Sequence, residues 1–301
     1  MMKKNIIITG GSGQDAKILS QAVKNYNINF LIRKKDKYLR KKKNINYSKI
    51  NLLNYKNICS HIKKIKPFAI IHLASKNNSA NKKKQNYNSD YRNNFLMTKN
   101  LILAIINNDK KIKFIFAGSS LMFKKKKGIV NEKSKFKATC FYSKYKINSH
   151  KLIIKYKKKY RLNVCTAILF NHDSIYRDKK FLLPRITRYL KNKNYNKISE
   201  IYKENIYGDF SHAEDICRGI IQLTKITKMP DRIILSSYKL SSINELIRYG
   251  LNFHKYKIKL KKSIKSKKIL LIGNNTFAKK FLKWRPKKNI LLAFKELLNK
   301  I

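Results

Sequence analysis

A tyrosine and a lysine four residues apart, Tyr142 and Lys146, carry the most reactive chemistry that this sequence suggests. Residues at this spacing share one face of a helix, so the lysine ammonium can lie beside the tyrosine phenol. A neighbouring positive charge favours the phenolate and lowers the pKa of the phenol. Tyr142 is therefore a candidate catalytic acid/base for an alcohol or sugar hydroxyl, and Lys146 is its candidate partner. The same spacing also arises readily by chance, because the chain contains 18 tyrosines and 72 lysines and arginines.

A serine upstream of this pair is the third candidate catalytic residue. Ser119 follows the apolar run Phe114–Ala117 and a single glycine, so the sequence predicts a strand that ends in a hydroxyl. The carboxyl ends of strands are where doubly wound sheets bind their ligands. Ser119 is therefore predicted to hydrogen-bond the reacting oxygen, and the alternative is a serine that only caps the next turn.

The N-terminus holds a pattern that would place a nucleotide beside these groups. An apolar run ends at Gly10, a turn of small residues follows, and a helical pattern then begins. Gly10 permits a sharp turn, Gly13 lets a pyrophosphate approach the backbone, and Ala16 allows the helix to pack close to the strand. The predicted cofactor-binding residues of this turn are Thr9, Gly10, Ser12, Gly13, Gln14 and Asp15.

The end of the second predicted strand bears on the choice of cofactor. NAD sites usually place an acid there to bind the ribose hydroxyls, whereas this chain has Arg33 followed by two lysines. Because a guanidinium suits a 2′-phosphate, the sequence favours NADP, with NAD as the alternative. The alternative interpretation is that Arg33 is simply one of many basic residues in a basic protein. The strand ending at Leu73 adds Leu73 and Ala74 to the predicted cofactor contacts.

Strand-like apolar runs alternate with amphipathic stretches through the first half of the chain. This alternation predicts an α/β fold, a doubly wound parallel sheet of the Rossmann type, with a smaller C-terminal substrate-binding lobe. The predicted NAD(P)-binding domain spans residues 1–170, and the nucleotide-sugar lobe spans 171–301 with some interleaving. The polar, lysine-rich segment 34–49 is predicted to be a surface excursion. The predicted strands are Ile6–Thr9, Ile28–Arg33, Phe68–Leu73, Lys113–Ala117 and Asn163–Phe170, and the helices beside them are Ala16–Lys24, Tyr55–Lys64, Asn94–Ile106 and Tyr142–Tyr160.

Charge is the unusual feature of the composition. The 301 residues carry a formal net charge of +57. Such a charge is typical of proteins that bind nucleic acid or anionic surfaces. Since lysine, asparagine and isoleucine are abundant together and share A/T-rich codons, and the lysines are spread along the chain, we expect a coding bias and no specific nucleic-acid partner.

The four cysteines show neither metal-ligand nor disulfide spacing, which favours a reducing compartment and predicts no metal site. No apolar stretch has the length of a signal peptide or a membrane span. We therefore expect a cytoplasmic protein without a membrane partner.

Five segments resemble one family of nucleotide-sugar enzymes. They occur in family order and are Thr9–Asp15, Ile168–Ser174, Pro184–Arg188, Gly208–Asp215 and Leu282–Pro286. The chain resembles the extended short-chain dehydrogenases/reductases, and within them the GDP-mannose 4,6-dehydratase family. The resemblance implies an NADP-dependent enzyme acting at C4 of a nucleotide-diphosphate sugar, GDP-mannose or a derivative of it, and a homo-oligomer.

The resemblance also assigns roles in the second half of the chain. It implies that Asn171 binds substrate near the phosphates and that His172 lies beside the cofactor. Arg177, Arg185 and Arg188 resemble basic residues that hold a diphosphate. Without the resemblance, His172 and His212 read as hydrogen-bonded structural histidines, and the arginines as a solvated basic face.

Two positions depart from the family pattern. Leu121 stands where the family has the glutamate that removes the C5 proton during dehydration, and leucine carries no proton. Glu132 is a distant substitute candidate, and without any base a 4-ketoreductase or a 4-epimerase remains the alternative function. Gly208 stands where the family has an arginine, which puts a phosphate or ribose contact in doubt, with the lysines between Lys255 and Lys262 as candidate substitutes. A non-enzyme alternative is a polyanion-binding protein on a dehydrogenase fold.

Overall fold

The computed structural model describes residues 3–22, 25–33, 43–76, 87–124, 127–258, 260 and 266–300. The chain divides into two compact units. The first unit comprises residues 1–124, 135–168 and 217–233, and the second comprises 125–134, 169–216 and 234–301.

Strands from both halves of the chain build one large sheet. Among the described residues, seven strands form this sheet in the order β10-β7-β5-β4-β1-β2-β3. All pairs from β3 across to β7 are parallel. Their bounds are β1 Lys4–Thr9, β2 Tyr26–Ile32, β3 Ile45–Lys49, β4 Ala69–His72, β5 Lys113–Ala117, β7 Val164–Leu169 and β10 Arg232–Leu235.

The strand order reverses between β1 and β4. From β1 the chain moves to β2 and β3 on one side, then returns to β4 and β5 on the other. In open parallel sheets this reversal leaves a crevice at the carboxyl ends of the strands, where ligands bind. The fold therefore places the crevice at Thr9 and His72, the last residues of β1 and β4.

Helices cover the sheet because their apolar stripes need a buried partner. On one face, Ile58 of α2, Leu101 of α3 and Ile153 of α4 join the buried strand residues Ile70 and Phe114 in a single core. The helices of the chain are α1 Gln14–Ala22, α2 Tyr55–Ile65, α3 Tyr87–Asn108, α4 Phe141–Tyr160, α5 Leu182–Lys191, α6 Tyr195–Lys203, α7 Ala213–Lys225, α8 Ile243–Phe253, α9 Thr276–Leu282 and α10 Ile290–Lys300.

The second unit has its own sheets and its own core. Strand β9 pairs with β8, β11 and β12, and β13 pairs with β6. Side chains of α5, α6, α8 and α10 form a core around Phe210 of β9. These strands are β6 Gly128–Val130, β8 Asn171–Asp173, β9 Ile206–His212, β11 Leu240–Ser242, β12 Lys268–Ile269 and β13 Leu271–Gly273.

The prediction of a parallel sheet is confirmed. The prediction of a surface excursion over residues 34–49 is wrong for its last five residues. Ile45–Lys49 forms β3, the edge strand, parallel to β2. Ile45 is buried against Ile28, while most of the remaining strand is polar because an edge strand buries only one side. Residues 34–42 lie outside the described part. Helix α3 also begins earlier than predicted, at Tyr87.

In the described part of the chain, no helix combines the length and apolar character needed to cross a membrane. All four cysteines are unbridged.

Candidate active site

Tyr142 and Lys146 lie on the first turn and a half of α4, and the structure brings their side chains together. The helix begins after Cys140, whose sulfur accepts a hydrogen bond from the Ser143 amide, while the Ser143 hydroxyl accepts one from the Cys140 amide. This reciprocal cap fixes where the helix starts. The Lys146 Nζ then lies 5.6 Å from the centroid of the Tyr142 ring. Tyr142 is half-buried and Lys146 is only 2% exposed.

Burial dominates the electrostatics of Lys146. Its Nζ donates a 2.5 Å hydrogen bond to the carbonyl oxygen of Ala117, the last residue of β5. It also lies 4.7 Å from the ring centroid of Phe116 and 5.0 Å from that of Tyr145. Desolvation lowers the pKa of Lys146 to about 7. A phenolate at Tyr142 would therefore gain a nearby cation that otherwise lacks full solvation.

Tyr145 faces the same lysine and is suited to a different role. Its hydroxyl donates to the Ser75 Oγ at 2.5 Å, and its ring meets the Tyr142 ring edge-on at 5.4 Å between centroids. Burial, and then the neighbouring Tyr142 charge, raise the pKa of Tyr145 well above its usual value, while the bond to Ser75 acts the other way. Tyr145 therefore stays a neutral donor.

Ser119 lies two residues after the end of β5, which is the predicted strand. It is the cap of a single 3₁₀ turn, Ser120–Met122, and its Oγ accepts a hydrogen bond from the Leu121 amide at 3.2 Å. This turn packs against α4. The capping role is thus present, and it leaves the hydroxyl proton able to donate to a ligand oxygen. Leu121 is 44% exposed beside it.

The glycine turn joins β1 to α1 at the reversal of strand order. Gly10 has a φ of 79°, and the Gly13 amide donates to the Gly10 carbonyl at 2.9 Å. A Cβ on Gly10 would lie 2.9 Å from the Ala74 amide nitrogen, and one on Gly13 would lie 3.2 Å from the Gly10 carbonyl oxygen. Since Gly10 and Gly13 carry no side chain and the turn ends at the N-terminus of α1, it fits a pyrophosphate.

A buried histidine ties this turn to the end of β4. The Thr98 hydroxyl donates to the Asn94 carbonyl, so it accepts from the His72 Nε2 at 3.1 Å. The His72 Nδ1 then accepts from the Thr9 hydroxyl at 2.7 Å, and Thr9 accepts from the Ala74 amide at 3.0 Å. Burial, and then the Lys146 charge, lower the pKa of His72 to about 3. The imidazole is therefore neutral, and its network holds Ala74 against the glycine turn.

The remaining predicted cofactor contacts lie around the same turn. Gln14 is buried at the start of α1 and donates to the Asp15 carboxylate at 3.1 Å. Ser12 is exposed in the turn, Arg33 is exposed directly after β2, and Leu73 is half-buried between His72 and Ala74.

The predicted substrate residues all lie in the second unit. Asn171 is exposed on β8, and Arg188 is exposed on α5. Arg185 is half-buried on the same helix, while Arg177 forms a 3.2 Å ion pair with Asp173 and stacks on the Phe181 ring. Asp173 therefore already neutralises part of the charge that Arg177 would offer to a diphosphate.

His172 and His212, the two histidines that the sequence analysis singled out in this unit, make structural hydrogen bonds. The His172 Nδ1 donates to the Phe170 carbonyl at 2.7 Å, which orients the buried ring. The His212 Nδ1 accepts from the Glu214 amide, and its Nε2 lies 3.2 Å from a Glu296 carboxylate oxygen.

Sequence reasoning missed the roles of two buried aspartates, Asp209 and Asp215, which lie three residues before and after His212 in the chain. The buried Asp209 carboxylate accepts from the Ser237, Tyr238 and Gly273 amides, so it joins β9 to the segment after β10 and to β13. Burial raises the pKa of Asp209, although these donors oppose the shift. A buried carboxylate needs such donors, but no pattern in the sequence around Asp209 or Asp215 identifies them.

Asp215, six residues further along the chain, also joins two segments through backbone amides. Its carboxylate accepts from the Lys287 and Lys288 amides at 2.7 Å each, and its carbonyl accepts from the Trp284 indole at 2.9 Å. Two of the segments that carry the family resemblance, Gly208–Asp215 and Leu282–Pro286, are therefore bonded to each other through Asp215 and Trp284.

Gly208 has close neighbours at the position where the resemblance implies an arginine. A Cβ there would lie 3.0 Å from the Phe210 ring and 3.2 Å from a Leu270 methyl carbon. Both side chains would have to shift by a few tenths of an ångström to admit a side chain at this position.

The sheet, the glycine turn and the serine, tyrosine and lysine define a short-chain dehydrogenase/reductase of the epimerase and dehydratase class. The profile of the family described as GDP-mannose 4,6 dehydratase matches residues 7–300. The chain belongs to this family.

Individual proteins agree with this assignment. GDP-mannose 4,6 dehydratase 1 of Arabidopsis thaliana is 26% identical, over 95% of this chain and 86% of its own length. Two solved structures each share 16% identity with a TM-score of 0.82. One is UDP-glucose 4-epimerase of Thermotoga maritima, with 98% of each chain covered. The other is dTDP-glucose 4,6-dehydratase of Bacillus anthracis in complex with NAD, with 99% of this chain and 96% of that chain covered.

Proposed function

We propose that this protein transfers hydride at C4 of a nucleotide-diphosphate hexose, with GDP-mannose or a derivative as substrate. The observation that carries the proposal is the Tyr142–Lys146 pair beside Ser119, at the carboxyl ends of a sheet whose glycine turn fits a pyrophosphate. The family match across residues 7–300 supports the sugar-nucleotide class.

The residues of the chain account for the proton movements. A nicotinamide, when bound, supplies the acceptor or donor of hydride. In oxidation, Tyr142 takes the proton from the C4 hydroxyl as the C4–H bond breaks and the ketone forms, and in reduction it returns that proton. Lys146 stabilises the phenolate, and Ser119 donates a hydrogen bond to the reacting oxygen. Arg33, exposed after β2, favours NADP over NAD because its guanidinium matches a 2′-phosphate.

Leu121 favours a second candidate function, reduction or epimerisation at C4 without elimination of water. Dehydration needs a base for the C5 proton, and leucine has none. The structure also gives partners or places for the described carboxylates of the first unit. Asp90 pairs with Lys76, Asp231 pairs with Lys157, Asp109 binds the Lys111 amide, and Asp15 is at the glycine turn. Glu132 belongs to the second unit, and its Oε1 accepts from the Ile234 amide at 2.9 Å.

One assay separates these candidates. Purified protein is incubated with GDP-mannose and NADP, and separately with the 4-keto-6-deoxy sugar nucleotide and NADPH, with NAD and NADH in parallel. Products are identified by NMR. A 4-keto-6-deoxy product supports dehydration, and turnover of the keto sugar alone supports reduction. Absence of nicotinamide binding together with salt-sensitive RNA binding would overturn the enzymatic proposal and support a polyanion-binding protein.

Leu121→Glu tests the reason for the second candidate. If only the missing carboxylate prevents elimination, this variant gains dehydration of GDP-mannose while the wild type lacks it. Leu121→Gln is the matched control, because it has the same length without a titratable group.

A further inference from the structure

We infer that Tyr145 is a positioning residue that fixes the distance between the predicted cofactor contacts and the catalytic phenol. This inference rests on the proposed function and deepens it. The Tyr145 hydroxyl donates to the Ser75 Oγ at 2.5 Å, and the residue precedes Lys146 on α4. It thus joins the helix that carries Tyr142 to the chain segment that follows β4.

The segment on the other side of this bond, His72–Lys76, touches the glycine turn. Its Ala74 backbone packs against Gly10 so closely that a Cβ on Gly10 would lie 2.9 Å from the Ala74 nitrogen. Within the segment, Ala74 is also bonded to Thr9, as described above. Any change in the position of the His72–Lys76 segment therefore reaches the turn that fits the pyrophosphate.

Other bonds hold the two ends of the segment and Ala74 at its centre, and the bond from Tyr145 holds Ser75. At one end, His72 is fixed between Thr9 and Thr98. At the other end, the Asn94 side chain accepts from the Lys76 amide at 2.9 Å and donates to the Lys76 carbonyl at 3.1 Å. These partners belong to β1 and α3. Ser75 is bonded to α4, the helix with the catalytic pair.

The surroundings of Tyr145 suit it to hold a position and not to exchange protons. The residue is 2% exposed and its ring contacts both the Tyr142 ring and the Lys146 Nζ. Its hydroxyl remains protonated for the reason given above, so the bond to Ser75 persists through the catalytic pH range. The buried Tyr145 side chain therefore orients two neighbours. These are Tyr142, which would transfer the proton, and Lys146, which would stabilise the resulting phenolate.

The test uses Tyr145→Phe, Ser75→Ala and the double variant, each in the full chain. We expect each single variant to lower kcat about tenfold, because small misplacements of reacting groups are costly, while KM for the sugar nucleotide stays within about twofold. The double variant should lose no more than either single variant, since both remove the same bond. Tyr160→Phe is the control: it removes a hydroxyl from the same helix away from the pair.

Hydrogen exchange of the Ala74 and Lys76 amides gives a readout that does not require turnover. We expect faster exchange at both amides in Tyr145→Phe and no change in Tyr160→Phe. Unchanged exchange, unchanged kcat in Tyr145→Phe, or losses that multiply in the double variant would each overturn the inference. A wild-type protein without any hydride transfer would instead contradict the proposed function, and the exchange data would still decide whether the bond holds the segment.

Discussion

Two tyrosines three residues apart differ in role because their surroundings differ. Tyr142 is half-buried beside Lys146, whereas Tyr145 is buried and its hydroxyl is committed to Ser75. Desolvation disfavours a phenolate at the buried position of Tyr145. Sequence spacing identified Tyr142 through its relation to Lys146. It gave no reason to single out Tyr145, since burial depends on residues such as Ser75 that are distant in the chain.

Tyr142→Phe should abolish most of the activity and leave cofactor binding intact. General acid/base catalysis contributes about 10²–10⁴-fold, so we expect kcat to fall by at least about 100-fold. Steady-state kinetics measures kcat, and fluorescence titration measures the dissociation constant of NADPH. Tyr156→Phe, on the same helix, should leave both unchanged. Retention of wild-type kcat in Tyr142→Phe would remove the phenol from the mechanism.

The lowered pKa of Lys146 predicts a pH-dependent stability. Between pH 7 and the usual lysine pKa of 10.5, the unfolded chain binds the Lys146 proton and the folded chain releases it. Stability therefore rises with pH in this window, by at most about 1.4 kcal/mol per unit, and the full cost of burying the ammonium is present below pH 7. Lys146→Met should remove this contribution. Its stability relative to wild type should be highest at or below pH 7 and decline towards pH 10.

Urea unfolding of both proteins from pH 6.5 to 9.5 measures this difference. Lys151→Met, which replaces an exposed lysine on α4, should give a curve parallel to that of the wild type. Parallel curves for Lys146→Met as well would show that the lysine titrates normally in the folded protein.

At the scale of the elements, the glycine turn depends on a neighbour that the local sequence does not contain. The motif predicts that Gly10 turns sharply, and its φ of 79° agrees. The close approach of Ala74 adds a second requirement, which arises only because β4 lies next to β1 in the sheet. Gly10 is therefore constrained by its own backbone and by the segment that follows another strand.

Gly10→Ala should be more damaging than a change at a comparable glycine. Gly128 also has a positive φ, of 88°, but a Cβ there would meet nothing within 4 Å. Gly128→Ala should cost about 1 kcal/mol from backbone strain, and Gly10→Ala should cost more because it also forces Ala74 away. Chemical denaturation measures both, and NADPH affinity should fall only for Gly10→Ala. Equal costs would mean that the Ala74 contact relaxes easily.

The same dependence on neighbours explains which elements were predicted. Long apolar runs such as Ile6–Ile8 and Phe114–Phe116 identify buried parallel strands by composition alone. The segment Ile45–Lys49 is not recognisable by composition, because an edge strand with one buried side has few apolar residues. Its place at the edge is decided by pairing with β2.

For the whole molecule, the net charge of +57 is the dominant electrostatic property. With 72 basic and 15 acidic residues, most cations have no acidic counterpart. Their mutual repulsion opposes the compact state and is screened as ionic strength rises. The same charge would favour non-specific, salt-sensitive association with polyanions, independently of any catalytic site.

Raising NaCl from 0.05 to 0.5 M should therefore raise the melting temperature. Thermal unfolding followed by circular dichroism measures the shift, and sodium sulfate at equal ionic strength is the comparison. A similar gain in both salts supports screening. A gain in sulfate alone would point to binding of a particular anion, and no gain in either salt would contradict the repulsion argument.

The sequence by itself determined the parallel α/β architecture, the glycine turn and the Tyr142–Lys146 pair, because each follows from residues close together in the chain. The tertiary structure alone decided that Tyr145 bonds Ser75, that His72 is buried between Thr9 and Thr98, and that Asp209 joins three segments. A hydrogen bond across some 25 to 70 residues leaves no local pattern, since its partners meet only when strands and helices pack around a shared core.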